Sequence, residues 1–166
     1  IIPSIIFEGI CLTSGSWYYE VTLTKQGNLH RSKFGWADPL FTCNGYECIG
    51  VGDDKHSWSW CPQPDDGIGK HTVRGHRGGY ACHNGMRVPF GPTWQESSTI
   101  GVAVDCDVGR VHFSLRGDWK GQPKERQQLG LAFDNIVFHG GLMPAATICG
   151  LCGQQVQFNF GQKPFK

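Results

Sequence analysis

Residues 100–115 read IGVAVDCDVGRVHFSL, and this stretch decides the fold. Val102, Val104 and Cys106 fall on one side of an extended chain, with Ala103 and Asp105 on the other. Val111, Phe113 and Leu115 then repeat the pattern against His112 and Ser114. Alternation with a period of two is the signature of a half-buried strand. Between the two runs, Asp107-Val108-Gly109 supplies an acidic turn opener and a glycine able to take positive φ. The stretch is therefore a β-hairpin. A hairpin alone is marginal in water, so the remaining chain must supply strands that cover its apolar face.

Working outward, Trp17, Tyr19, Val21 and Leu23 alternate with Tyr18, Glu20, Thr22 and Thr24, a strand by content and period. Residues 1–10 are apolar but irregular and suit an edge. Lys33 to Ala37 resumes the alternation until Asp38-Pro39 ends it. Leu40 to Tyr46 reads as a loop with Asn44-Gly45 near its tip, Glu47 to Val51 as a short strand, and Ser57 to Trp60 as another. Trp17, Trp36, Trp58, Trp60, Phe113 and Phe158 lie on these alternating runs and are assigned to the core. Cys61 to Gly85 is aperiodic and rich in glycine and histidine, and reads as one long loop. Met86 to Glu96 is turn-rich, with Trp94 as an anchor. Arg116 to Gln128 is a polar insert, and Val156, Phe158 and Phe160 mark a final strand. No stretch keeps a helical period. The expectation is all-β: short antiparallel strands forming a sandwich or barrel, one domain over residues 1–166.

At 166 residues the chain can bury about 70% of its unfolded surface, so a core stands without staples. The eight cysteines are irregularly spaced and read as free thiols of a reducing cytosol rather than as a disulfide framework. Fifteen basic and fourteen acidic side chains leave a formal charge of +1, which gives no field for gathering nucleic acid or an anionic membrane. No apolar run approaches the roughly 20 residues of a membrane span, and no signal peptide is visible.

In this order the segments resemble a SPRY domain from Ser14 to Phe165. The resemblance is carried by SGSWYYEV (14–21), FGWAD (34–38), GVGDDKHSW (50–58), the 100–115 hairpin, GLAF (130–133), LMPAAT (142–147) and VQFNFG (156–161). It implies a bent sandwich of two antiparallel sheets. It also implies a non-catalytic module that holds a partner protein or peptide, as in ubiquitin ligases and their adaptors or ryanodine-receptor-like proteins. Two features depart from the family pattern. Arg116-Gly117 stands where the family has a short Asn-Gly turn, followed by the insert, and the 61–85 loop exceeds the common length.

The resemblance also implies partner-binding residues. In peptide-binding SPRY adaptors the tyrosine matching Gly45-Tyr46 lines the pocket, completed by the loop matching Cys149-Gly150-Leu151. Those adaptors have a tryptophan where this chain has Gly150, so their peptide motif does not carry over. Asn44-Gly45 places Tyr46 at an exposed loop end, where aromatic hot-spot residues are typical.

Other constellations carry less chemistry. Cys149 and Cys152 have CxxC spacing but no second pair for zinc and no following helix for redox work. Cys61, His71, His76, Cys82 and His83 fit no standard metal spacing. Asp53-Asp54 and Asp105/Asp107 are paired carboxylates, but each pair sits at a strand–turn junction where aspartate caps the backbone. Arg116-Gly117-Asp118 spells a tripeptide that matters only outside the cell. No metal, cofactor or catalytic residue is expected. The rival readings are a lectin-like sugar binder and a metal-dependent enzyme built on the Cys/His loop.

Overall fold

A computed structural model describes residues 3–25, 32–44, 46–47, 49–62, 76, 78–122, 127–148 and 153–166. The 100–115 hairpin forms as its alternation dictates. β7 (Thr99–Asp105) and β8 (Arg110–Leu115) pair antiparallel from Ile100↔Leu115 to Asp105↔Arg110, and Gly109 takes a φ of 69° in the turn. β2 (Ser16–Lys25) runs beside β7, with β13 (Gln155–Asn159) on its outer side, while β11 (Gly130–Phe133) flanks β8. These five strands form one sheet in the order β11-β8-β7-β2-β13.

The facing sheet holds six strands, ordered β1 (Ser4–Ile6), β12 (Met143–Thr147), β3 (Lys33–Ala37), β4 (Ser57–Cys61), β5 (Tyr80–His83) and β6 (Met86–Pro89). All the pairings are antiparallel, and no helix occurs among the described residues. Tyr19, Val21, Leu23, Ile100, Val102, Val111 and Phe113 meet Phe34, Trp36, Trp58 and Trp60 in the shared core. The Tyr19 hydroxyl crosses between the sheets and donates to the Gly35 carbonyl at 2.6 Å, which satisfies a buried polar group. The architecture is the antiparallel two-sheet sandwich that the sequence implied.

β3 is buried along its whole length because both of its faces are covered. Phe34 and Trp36 point into the shared core, while Phe41 and Val51, from the 38–56 connection, pack on Ala37 and Ala145 at the other face. Gly35 must be glycine, since a Cβ there would lie 1.9 Å from the Trp58 carbonyl oxygen.

Several expectations need correction. Trp17 is 49% exposed and not in the core; it lies at the start of β2, with its Nε1–H donating to the Ser14 carbonyl at 2.7 Å. Glu47 to Val51 is not a strand: an isolated bridge joins Asn44 to Ile49, and the chain then turns at Val51-Gly52. The supposed 61–85 loop begins with the last residue of β4 and ends in β5. β5 and β6 form a hairpin through Asn84-Gly85, so the turn-rich 86–96 stretch also holds a strand. The 116–128 insert is rooted in the fold. Its β9 (Gly121–Gln122) and β10 (Gln127–Gln128) pair, and Trp119 packs on Tyr18 with ring centroids 5.6 Å apart.

Candidate functional site

The 38–56 connection is built from short aspartate and asparagine turns. The Asn44 side-chain oxygen accepts from the backbone N–H groups of Tyr46 and Glu47 at 3.1 and 3.3 Å. Two backbone hydrogen bonds between Asn44 and Ile49 close the loop below. Tyr46 stands on this tip 86% exposed. The bonds to Asn44 hold the backbone at Tyr46 and Glu47 and leave the ring free of the loop's own packing.

The same connection folds back over the six-stranded sheet. The Val51 N–H donates to the Thr147 hydroxyl at 2.8 Å, which fixes the return of the Tyr46 loop against the end of β12. Ile148 follows, its N–H donating to the Pro3 carbonyl at 3.1 Å. Of the partner-binding residues expected from sequence, Tyr46 is thus placed. Gly45, Cys149, Gly150 and Leu151 lie outside the described residues.

The paired carboxylates hold turns. Asp53 accepts from the Gly50 N–H and pairs with Lys33, while Asp54 accepts from the backbone of Thr42 and His56 and from the Ser57 hydroxyl. Asp105 accepts from the backbone of Asp107 and Val108 and from Ser16, and Asp107 from the Gly15 N–H.

The Cys/His set of the 61–85 region is only partly gathered. Cys61 and Cys82 lie buried across β4 and β5 with sulfurs 3.0 Å apart. The Cys82 thiol is pushed up by its hydrogen bond to Cys61 and by burial. His76 Nε2 lies 2.8 Å from the Gly79 carbonyl and His83 Nδ1 2.9 Å from that of Ser57, the second ring stacked on Trp58. His71 lies outside the described residues.

Two features escaped the sequence reading. Among the described residues, one group of His, Cys, Asp or Glu brings its donor atoms within 4.8 Å of one another: Asp38, His56 and His139. Nothing in their spacing announces it, since 18 residues separate the first two and 101 the first and last. A cleft of about 340 Å³ also opens on the five-stranded sheet, lined mainly by Trp17, Tyr18, Ala103, Asp105, His112 and Trp119. His112 is shifted toward its neutral form by burial and then by Arg110. Trp17 and Trp119, both among its lining residues, are 49% and 39% exposed overall, aromatic surface of the kind that partner proteins cover.

The model of the SPRY domain matches residues 16–163. The chain belongs to the SPRY family. This SPRY chain is also similar to the E3 ubiquitin-protein ligase RKP of Arabidopsis thaliana, 28% identical over 159 residues. The match covers 94% of the chain and 10% of that relative, so the chain spans about one tenth of the relative's length. No helix among the described residues is long and apolar enough to cross a membrane.

Proposed function

We propose that the chain acts as one non-catalytic SPRY module that binds a partner protein or peptide through its surface loops. It serves as the substrate-recognition or scaffolding part of a larger cytoplasmic protein, of which a ubiquitin ligase is the favoured kind. The partner is a protein or another domain of the parent chain, with no nucleic acid or membrane contact. The observation that carries this reading is the 2.8 Å hydrogen bond from Val51 to Thr147. It holds the loop bearing an 86% exposed Tyr46 beside the strand that leads into Cys149-Gly150-Leu151. The two segments assigned to one pocket thereby start from neighbouring anchors.

The test is capture of partners from cytosol by wild type, Tyr46→Ala and Leu151→Asp, with melting curves as the folding control. Tyr46→Ala is expected to leave the melting temperature unchanged and to weaken the partner by about 2 kcal/mol or more, the hot-spot range. Equal recovery by all three folded proteins would move the interaction surface away from these loops, and the Trp17–Trp119 cleft would be tested next.

A further inference from the structure

Asp38 follows β3, His56 precedes β4, and His139 lies in the connection between β11 and β12. Asp38 Oδ2 is 3.1 Å from His56 Nδ1 and 3.5 Å from His139 Nδ1. A tetrahedral zinc with bonds of about 2.0–2.1 Å holds its donors about 3.3 Å apart, so the two separations bracket the coordination value. The third, between the histidines, is within 4.8 Å. Closing it falls to His139, whose side chain is 63% exposed, while those of Asp38 and His56 are 0% and 14% exposed.

Hydrogen bonding alone leaves this arrangement half explained. The Asp38 carboxylate already accepts from the Leu40 N–H at 2.9 Å, the His139 N–H at 3.1 Å and His56 Nδ1. A second imidazole nevertheless turns its Nδ1 to the same oxygen, at a distance too long for a good hydrogen bond. Two imidazole nitrogens converging on one carboxylate oxygen is also the arrangement that a shared cation takes. The backbone N–H bonds to Asp38 are the supporting shell that orients a ligating carboxylate, and Asp54 fixes the His56 backbone in the same way. Imidazole donors select zinc-class ions, and a single carboxylate is too few for calcium.

We infer that Asp38 Oδ2, His56 Nδ1 and His139 Nδ1 bind one zinc-class divalent ion, with water in the fourth position on the solvent side. The inference departs from the sequence expectation of no metal. Asp38 and His56 stand at the two ends of the connection that carries Tyr46, but the site does not depend on that loop binding a partner.

The experiment uses chelator-stripped protein with a phosphine reductant, titrated calorimetrically with zinc chloride. One ion per chain is expected, with a rise in melting temperature on binding. His139→Ala should keep the wild-type melting temperature without zinc and bind at least tenfold more weakly. Cobalt(II) should give the intense visible bands of a four-coordinate site, with no thiolate charge-transfer band at the first equivalent. Three results would each overturn the assignment: no saturable zinc uptake, equal affinity in wild type and His139→Ala, or a thiolate band showing that cysteines hold the ion.

Discussion

Phe113 and Trp17 are large aromatics on strands of the same sheet, one either side of β7, and they should respond oppositely to truncation. Phe113 is fully buried between the sheets, with its ring 5.8 Å from that of Trp60 and 6.0 Å from that of Phe90. Phe113→Ala is expected to cost about 3–5 kcal/mol, because the rigid surroundings cannot close over the lost ring. Trp17→Ala removes a half-exposed ring and one exposed hydrogen bond, and should cost no more than about 1 kcal/mol. Urea titration of the two variants reads both values, and a comparable loss would mean that Trp17 is packed after all. Alternation told which face each residue takes. It does not tell where along a strand the covering layer stops, and that is why Trp17 was misassigned.

At the scale of elements, β2, β3, β7, β8 and β13 were legible because apolar and polar residues alternate along them. β5 and β6 were not. Tyr80-Ala81-Cys82-His83 and Met86-Arg87-Val88-Pro89 mix polarity without a clear period, and a histidine- and glycine-rich run precedes them. One signal was present in Asn84-Gly85, the residue pair that suits a two-residue hairpin turn. Both residues take positive φ, 51° and 72°. A Cβ on Gly85 would find its nearest neighbour 3.6 Å away, so Gly85→Ala meets conformational strain alone and should cost about 1–2 kcal/mol. Gly35→Ala is the opposite case: it has no positive φ, but its Cβ would overlap the Trp58 carbonyl. It must push β3 from β4 and should be the more damaging change by thermal melting; the reverse order would contradict the tight β3–β4 approach. The candidate sites divide on the same principle. The exposure of Tyr46 was readable from the Asn-Gly pair that precedes it in the sequence. Asp38, His56 and His139 meet only through tertiary folding, which no local pattern encodes.

For the whole molecule, the buried protonated groups make alkaline pH the vulnerable side. Burial pushes the Cys106 thiol up to about 11, with the charges of Asp107 and then Asp105 adding to it. Burial also raises the Tyr19 phenol, and it raises that of Tyr18, where Glu20 adds its charge and hydrogen bond. Cys61 and Cys82 titrate as a pair, Cys61 held down and Cys82 up by the hydrogen bond between them. A raised pKa means that the folded chain keeps a proton the unfolded chain has released. Stability is therefore full below the unfolded pKa and falls as pH rises toward the folded one. For Cys106 that window opens at about 8.5, the ordinary thiol value, and runs to about 11; the tyrosines extend it upward from about 10. The acid side has no matching reserve in the Arg110–Asp134 pair, whose carboxyl is lowered by the Arg110 hydrogen bond but is exposed to solvent. Urea midpoints of the reduced protein should thus decline from pH 8 to pH 11. Tyr19→Phe separates the contributions. It should cost about 1 kcal/mol at pH 7, where the hydrogen bond to the Gly35 carbonyl is lost. It should lose less than wild type above pH 10, where position 19 no longer carries a phenol to ionise. Parallel curves for the two proteins through that range would show that ionisation of Tyr19 is not coupled to unfolding.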